Sequence, residues 1–163
     1  MKAATIAMCL CSLAVMAGCQ PSGPPPIQVE KDGLALALKL PARKFVVGDT
    51  FTVRLTAANA TDKDMTMTPK TAPLAVVRLW RQVASEWVQI KQYPAASSDP
   101  AAPWTLPAGK DRALAVKVTV ERDWPVREPL RLTGEIQGRK DPVAGILIQA
   151  FPTKKECSRA KVY

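Results

Sequence analysis

The sequence predicts an all-β protein, folded as an antiparallel β-sandwich of about seven to nine strands. Three observations predict it. Several segments alternate apolar and polar residues with a period of two, as half-buried strands do. Turn-forming residues separate these segments at short intervals: Val47-Gly48-Asp49, Asn59-Ala60-Thr61-Asp62, Pro107-Ala108-Gly109, Gly138 and Pro142. No stretch combines a helical period with recognisable caps.

The elements follow in order. Leu34, Leu36, Leu38 and Leu40 alternate with Ala35, Ala37 and Lys39. Phe51, Val53, Leu55 and Ala57 alternate with Thr52, Arg54 and Thr56. Leu114, Val116, Val118 and Val120 alternate with Ala115, Lys117 and Thr119. Further β-rich runs cover 65–68, 74–80, 86–92, 130–137 and 143–151. A single sheet cannot cover inward side chains of this number, whereas two sheets packed face to face bury both inner faces across ~10 Å. About 120 residues suffice for such a core without disulfides. The segment 94–103, PAASSDPAAP, is excluded from a central strand by its prolines and reads as a long loop. Trp80 and Trp87 flank the polar turn at Ala84-Ser85-Glu86, as in a hairpin. Trp80, Trp87 and Trp104 are expected in the core or at a sheet edge. Trp124 stands apart. It precedes Pro125 in the charged loop 121–129, where exposure would make Trp124, Arg122 and Arg127 a binding set.

Composition narrows the chemistry. The 163 residues include 23 Lys+Arg against 14 Asp+Glu, a net charge of +9, and no histidine. Without histidine there is no Ser-His-Asp or Cys-His nucleophile pair, no imidazole acid or base, and no His-containing zinc site. No G-x-S-x-G elbow, S-x-x-K, phosphate-binding loop or dinucleotide fingerprint occurs. Met65 and Met67 share a strand face and read as core rather than as soft metal ligands. Asp62 and Asp64 read as a solvated turn, since no calcium-loop spacing follows them. The remaining carboxylates lie mostly in turns or beside cations. The expectation is a protein that is not an enzyme and needs neither cofactor nor metal. A two-carboxylate hydrolase is the chemical alternative.

The N-terminus decides the expected location. One cation, Lys2, precedes an uncharged apolar run from Ala3 to Gly18. That run is shorter than the ~20 residues of a spanning helix and fits the apolar region of a secretory signal. It ends in Met16-Ala17-Gly18-Cys19, which resembles the lipobox of bacterial lipoproteins. The resemblance implies cleavage before Cys19 and acylation of its sulfur, with Ala17 and Gly18 small enough for the peptidase. Gln20 is not the Asp that retains lipoproteins in the inner membrane of enteric-type bacteria. The resemblance therefore implies the periplasmic face of an outer membrane. The Pro-rich stretch from Gln20 to Pro26 follows as a tether. Cys9 and Cys11 would leave with the signal, and Cys157 would remain as a lone thiol in a basic tail.

The organisation expected is a signal at 1–18, a lipidated Cys and tether at 19–29, a sandwich at 30–152 and a basic C-terminal tail at 153–163. The function expected is that of an envelope lipoprotein acting as a non-enzymatic binding or assembly module. Its partners would be the membrane, through lipid on Cys19, and an envelope protein or anionic envelope polymer. Nucleic acid is not expected for an exported chain.

The run Phe51 to Lys63 with Met65-Thr66-Met67 resembles the strand–Asn–turn–strand opening of bacterial immunoglobulin-like domains. Leu74 to Trp80, with Trp104 to Gly109 leading into a strand, is similar to the BsuPI-type domain of an intracellular proteinase inhibitor. The resemblance covers roughly residues 45–120. It implies an Ig-like sandwich and, as an alternative function, proteinase inhibition through an exposed loop at 94–103 or 121–129.

Overall fold

The period-two segments do form strands. The computed structural model describes residues 24–70, 72–95, 99, 101–139 and 142–161. The expected signal, the lipobox residues Met16, Ala17 and Gly18, and Cys19 lie outside the described residues, as do residues 96–98 and 100 of the proline-rich loop. In chain order the strands are β1 (Ile27–Lys31), β2 (Leu34–Lys39), β3 (Lys44–Val46), β4 (Thr50–Asn59), β5 (Met65–Met67), β6 (Ala75–Val83), β7 (Glu86–Tyr93), β8 (Trp104–Leu106), β9 (Asp111–Thr119), β10 (Pro129–Ile136) and β11 (Ala144–Phe151). One short helix, α1 (Lys154–Arg159), follows.

The protein is an all-β sandwich. One sheet has the order β1-β2-β4-β9 and is antiparallel throughout. The other has the order β3-β11-β10-β6-β7. It is antiparallel except where β3 runs parallel to β11. β5 and β8 form a small separate ribbon. Leu36, Leu38, Val53, Leu55 and Val118 of the first sheet share one buried core with Val77, Leu79, Leu132 and Ile148 of the second. Gly134 of β10 faces the opposite sheet at close range. A Cβ there would overlap the side chains of Leu55 and Leu38 from the opposite sheet. Asn59 is buried at the end of β4 with both ends of its amide satisfied. Its nitrogen donates to the Lys63 and Leu106 carbonyls at 2.8 and 3.0 Å, and its oxygen accepts from Thr61 N at 3.0 Å. The Asn–turn feature is therefore a hinge pin between β4 and β8.

The described residues form eleven strands rather than seven to nine, the short β3 and β8 being additional to the expected segments, and three further features differ from the sequence reading. β1 begins at Ile27, inside the segment read as tether. Its pairing with β2 turns on Asp32 and Gly33, both at positive φ, the two-residue turn that an Asp-Gly pair favours. Ile27 and Val29 pack against the core from this strand. The basic tail contains α1, whose N-cap Thr153 accepts from Glu156 N at 3.3 Å. Thr153-x-x-Glu156 is the spacing of a capping box and was the available signal. The third difference is Trp124. It is 2% exposed and belongs to the core.

Candidate functional site

The loop between β9 and β10 carries the residues expected to bind a partner, and its geometry is directed inward. The Trp124 indole N–H donates to the Tyr93 hydroxyl on β7 at 2.9 Å. That hydroxyl in turn donates to the Glu121 carboxylate at 2.9 Å, with the Thr119 carbonyl 3.2 Å away. Lys91, also on β7, donates to Glu121 and Asp123 at 2.8 Å each. Arg81 on β6 pairs with Glu128 at 3.2 Å. Arg127, at positive φ, donates its backbone N–H to the Ala150 carbonyl and its guanidinium to Glu156 of α1 at 2.7 Å. Of the expected set, Arg122 alone points to solvent without a described ionic partner. The structure buries Trp124 against Tyr93, ties the exposed Arg127 to Glu156 of α1, and does not join them to Arg122 as one surface.

The electrostatics of this loop follow from Lys91. Its hydrogen bonds to Asp123 and Glu121 raise the ammonium above the ordinary lysine range. The same ammonium is the main cause holding the Glu121 and Asp123 carboxyls below the usual carboxylate range. Burial, the largest cause, pushes the Tyr93 phenol up to about 12. Two carboxylates meet here, but both are held ionised, the opposite of the raised pKa that a general acid near neutrality requires. Elsewhere Asp49 accepts from Val46 N at 2.7 Å and Asp64 from Ala108 N at 3.0 Å, both structural turn contacts. Met67 is buried, and the Met65 sulfur accepts from Arg139 at 2.7 Å. Among the described residues no three His, Cys, Asp or Glu side chains are grouped to hold a metal.

A different surface has the composition of a contact site. On β6 the side chains of Val77 and Leu79 enter the core, so Arg78, Trp80 and Gln82 project from the outer face of the five-stranded sheet. Register carries that face across the sheet. Trp80 pairs with Gln89 of β7 and with Arg131 of β10, and Arg131 pairs with Leu147 of β11. Gln82 pairs with Trp87, which places Trp87 diagonally beside Trp80. Trp80 and Trp87 are half-buried, and Gln82, Gln89 and Arg131 are exposed. Leu147 is 48% exposed. The Trp80 indole N–H donates to Thr133 on β10 at 2.8 Å, which fixes the ring on the sheet. Arg78 pairs with Glu135 and donates to Gln92 at 3.3 Å, closing one side of the patch. Partly exposed Trp beside Arg is the pairing enriched at the energetic centre of protein interfaces.

Trp80 and Trp87 lie partly buried on the sheet, Trp87 on its edge strand, within the expectation of core or sheet-edge packing, whereas Trp124, the candidate for exposure, is buried. A signal for the outward direction of Trp80 was present in β6. Once Leu79 is taken inward, period two puts Trp80 outward.

No family model and no curated protein matches the chain. Among solved structures it is similar to Spo0M, the sporulation control protein of Bacillus subtilis, at 11% identity and a TM-score of 0.53. That match covers 74% of this chain and 50% of the other, so this chain spans half of the Spo0M chain's length. It is also similar to the alkylpurine DNA glycosylase AlkC of Pseudomonas fluorescens, at 9% identity and a TM-score of 0.47, over 73% of this chain and 30% of that one. A beta-glucosidase from Listeria innocua matches at 14% identity and a TM-score of 0.45, over 72% and 16% of the two chains. At 11% identity the likeness to Spo0M is one of fold alone.

Proposed function

We propose that this protein is a lipid-anchored envelope binding module, acylated at Cys19, that engages a partner through the outer face of its five-stranded sheet. The observation that carries the binding reading is the partly exposed diagonal pair Trp80 and Trp87, set beside Gln82, Gln89, Arg131 and Leu147. A flat face with two large aromatic surfaces offers apolar area, and the flanking amides and guanidinium offer hydrogen bonds at its rim. The anchoring reading rests on the Met16-Ala17-Gly18-Cys19 resemblance and the proline-rich stretch after it. The 121–129 loop, with its tryptophan turned inward, suits an inhibitory contact poorly.

Two experiments separate these parts. A Trp80→Ala/Trp87→Ala double variant should lose capture of the envelope partner that the native protein retains, while still unfolding cooperatively at a temperature lowered only in part by the loss of the Trp80–Thr133 hydrogen bond. Capture at native strength by that variant would remove the face as the binding site. A Cys19→Ser variant should lose membrane association and the added acyl mass. Unchanged mass and unchanged association would remove the anchor.

A further inference from the structure

The two ends of the described chain meet. Pro24 and Pro25, where the tether enters the sandwich, line an open cavity of about 690 Å³ together with Lys44, Lys154 and Cys157. Helix α1 is built onto this end. Lys44 of β3 donates to the Cys157 and Ala160 carbonyls at 3.1 and 2.9 Å, placing a cation at the helix C-terminus. Glu156, the acid of α1, is taken up by Arg127, which holds it below the usual carboxylate range. What α1 and the next residues turn to solvent is therefore cationic: Lys154, Lys155, Arg159 and Lys161 are all exposed. The acid that lines the cavity, Asp49, accepts from the Val46 N–H.

Distance supplies the occupant. Cys19 precedes Pro24 by five residues, which reach at most ~18 Å when fully extended. With acyl chains on Cys19, the α1 end of the sandwich stays close to the bilayer surface, about two Debye lengths away at most. From this, and resting on the lipid-anchor reading above, we propose that α1 and its flanking lysines form a basic foot that docks on the anionic phospholipid headgroups of the anchoring membrane. The foot gives the sandwich a second point of contact with the membrane and so fixes its attitude. Headgroup attraction also strengthens membrane residence, because basic side chains near an anionic leaflet add to acyl-chain partitioning.

The test uses non-acylated residues 20–163, which keep every described element, so its outcome is separate from that of the Cys19→Ser experiment. The probes are vesicles of phosphatidylcholine with phosphatidylglycerol, and vesicles of phosphatidylcholine alone. The expected result is co-flotation with the anionic vesicles only, weakened by salt and reduced about tenfold or more by Lys154→Glu/Lys155→Glu/Arg159→Glu. A charge-matched control, Lys39→Glu/Arg54→Glu/Lys117→Glu, alters exposed cations on the outer face of the other sheet and should retain most of the binding. A fluorophore on Cys157, the one cysteine of residues 20–163, should report a changed environment on anionic vesicles in the unsubstituted chain. This readout does not depend on any charge variant folding. Absent binding to anionic vesicles, equal loss in both triple variants, or an unmoved Cys157 probe would overturn the proposal. Preference for an acidic polysaccharide over the vesicles in direct competition would overturn it as well, and would redirect the foot to an envelope polymer.

Discussion

The loop at 121–129 and the outer face of the five-stranded sheet both carry tryptophan and arginine, yet they spend them differently. In the loop, Trp124 is 2% exposed and its N–H is bonded to Tyr93, while Arg127 is bonded to Glu156. On the sheet, Trp80 and Trp87 are half-buried, with Gln89 and Arg131 open to solvent beside them. The difference teaches that residue type does not mark a contact surface. What separates the tryptophans is whether the surrounding side chains bury the ring, as they do at Trp124. The loop crosses beneath the β6–β7 hairpin and is tied to it by Lys91, Tyr93 and Arg81. At Trp87 the sheet face stays partly open among the described residues.

That contrast can be broken by substitution. The largest effect is expected from Trp124→Ala. Removing a buried tryptophan should cost about 3–5 kcal/mol and leave the Tyr93 hydroxyl without its donor. Chemical denaturation measures this, and native stability with lost partner capture would reverse the assignment. Next comes Lys91→Ala, which unties both carboxylates. Glu121 and Asp123 have depressed folded-state pKa values, so the stability they contribute is present above the ordinary carboxylate range. It is lost as pH falls through their lowered values. The native protein should therefore lose melting temperature on acidification below about pH 4, and the Lys91→Ala variant should lose less over the same window. Equal losses would show that Lys91 does not set those carboxyls.

Trp87→Ala should cost less stability than Trp124→Ala, about 1–2 kcal/mol, and still remove most partner capture, because its ring lies on the edge strand and is only partly buried. A large stability loss with capture retained would mean that the ring is structural after all. The smallest effect is expected from Arg122→Ala, which should change neither melting temperature nor capture. A clear loss of capture in that variant would return the contact to the loop.

Much of the fold was legible in the residues. The eight alternating or β-rich segments each became a strand, because a period of two states which side chains share a face before any partner is known. β1 was obscured by its neighbours. Ile27 and Val29 follow a proline run, and the Asp32-Gly33 turn that binds them to β2 is a local signal easily read as part of a linker. α1 was obscured by its length, since a helix of six residues offers too few positions for a period to emerge and is held by contacts such as Lys44 to its carbonyls.

The candidate surface was half legible. The inward direction of Leu79 implies the outward direction of Trp80, but the meeting of Trp80, Trp87 and Arg131 needs the pairings of β6 with β7 and with β10. Nothing in residues 121–129 states where Trp124 points, since a loop has no period that assigns a face. Its burial was decided by Tyr93 and Lys91, more than twenty-five residues upstream. By itself, the sequence determined an all-β sandwich and the chemistry that a chain without histidine forgoes. Only the tertiary structure decided which tryptophans were consumed and which were left outside, and that α1 stands beside the tether. Alternation is a property of neighbours in the chain, whereas exposure is a property of neighbours in space.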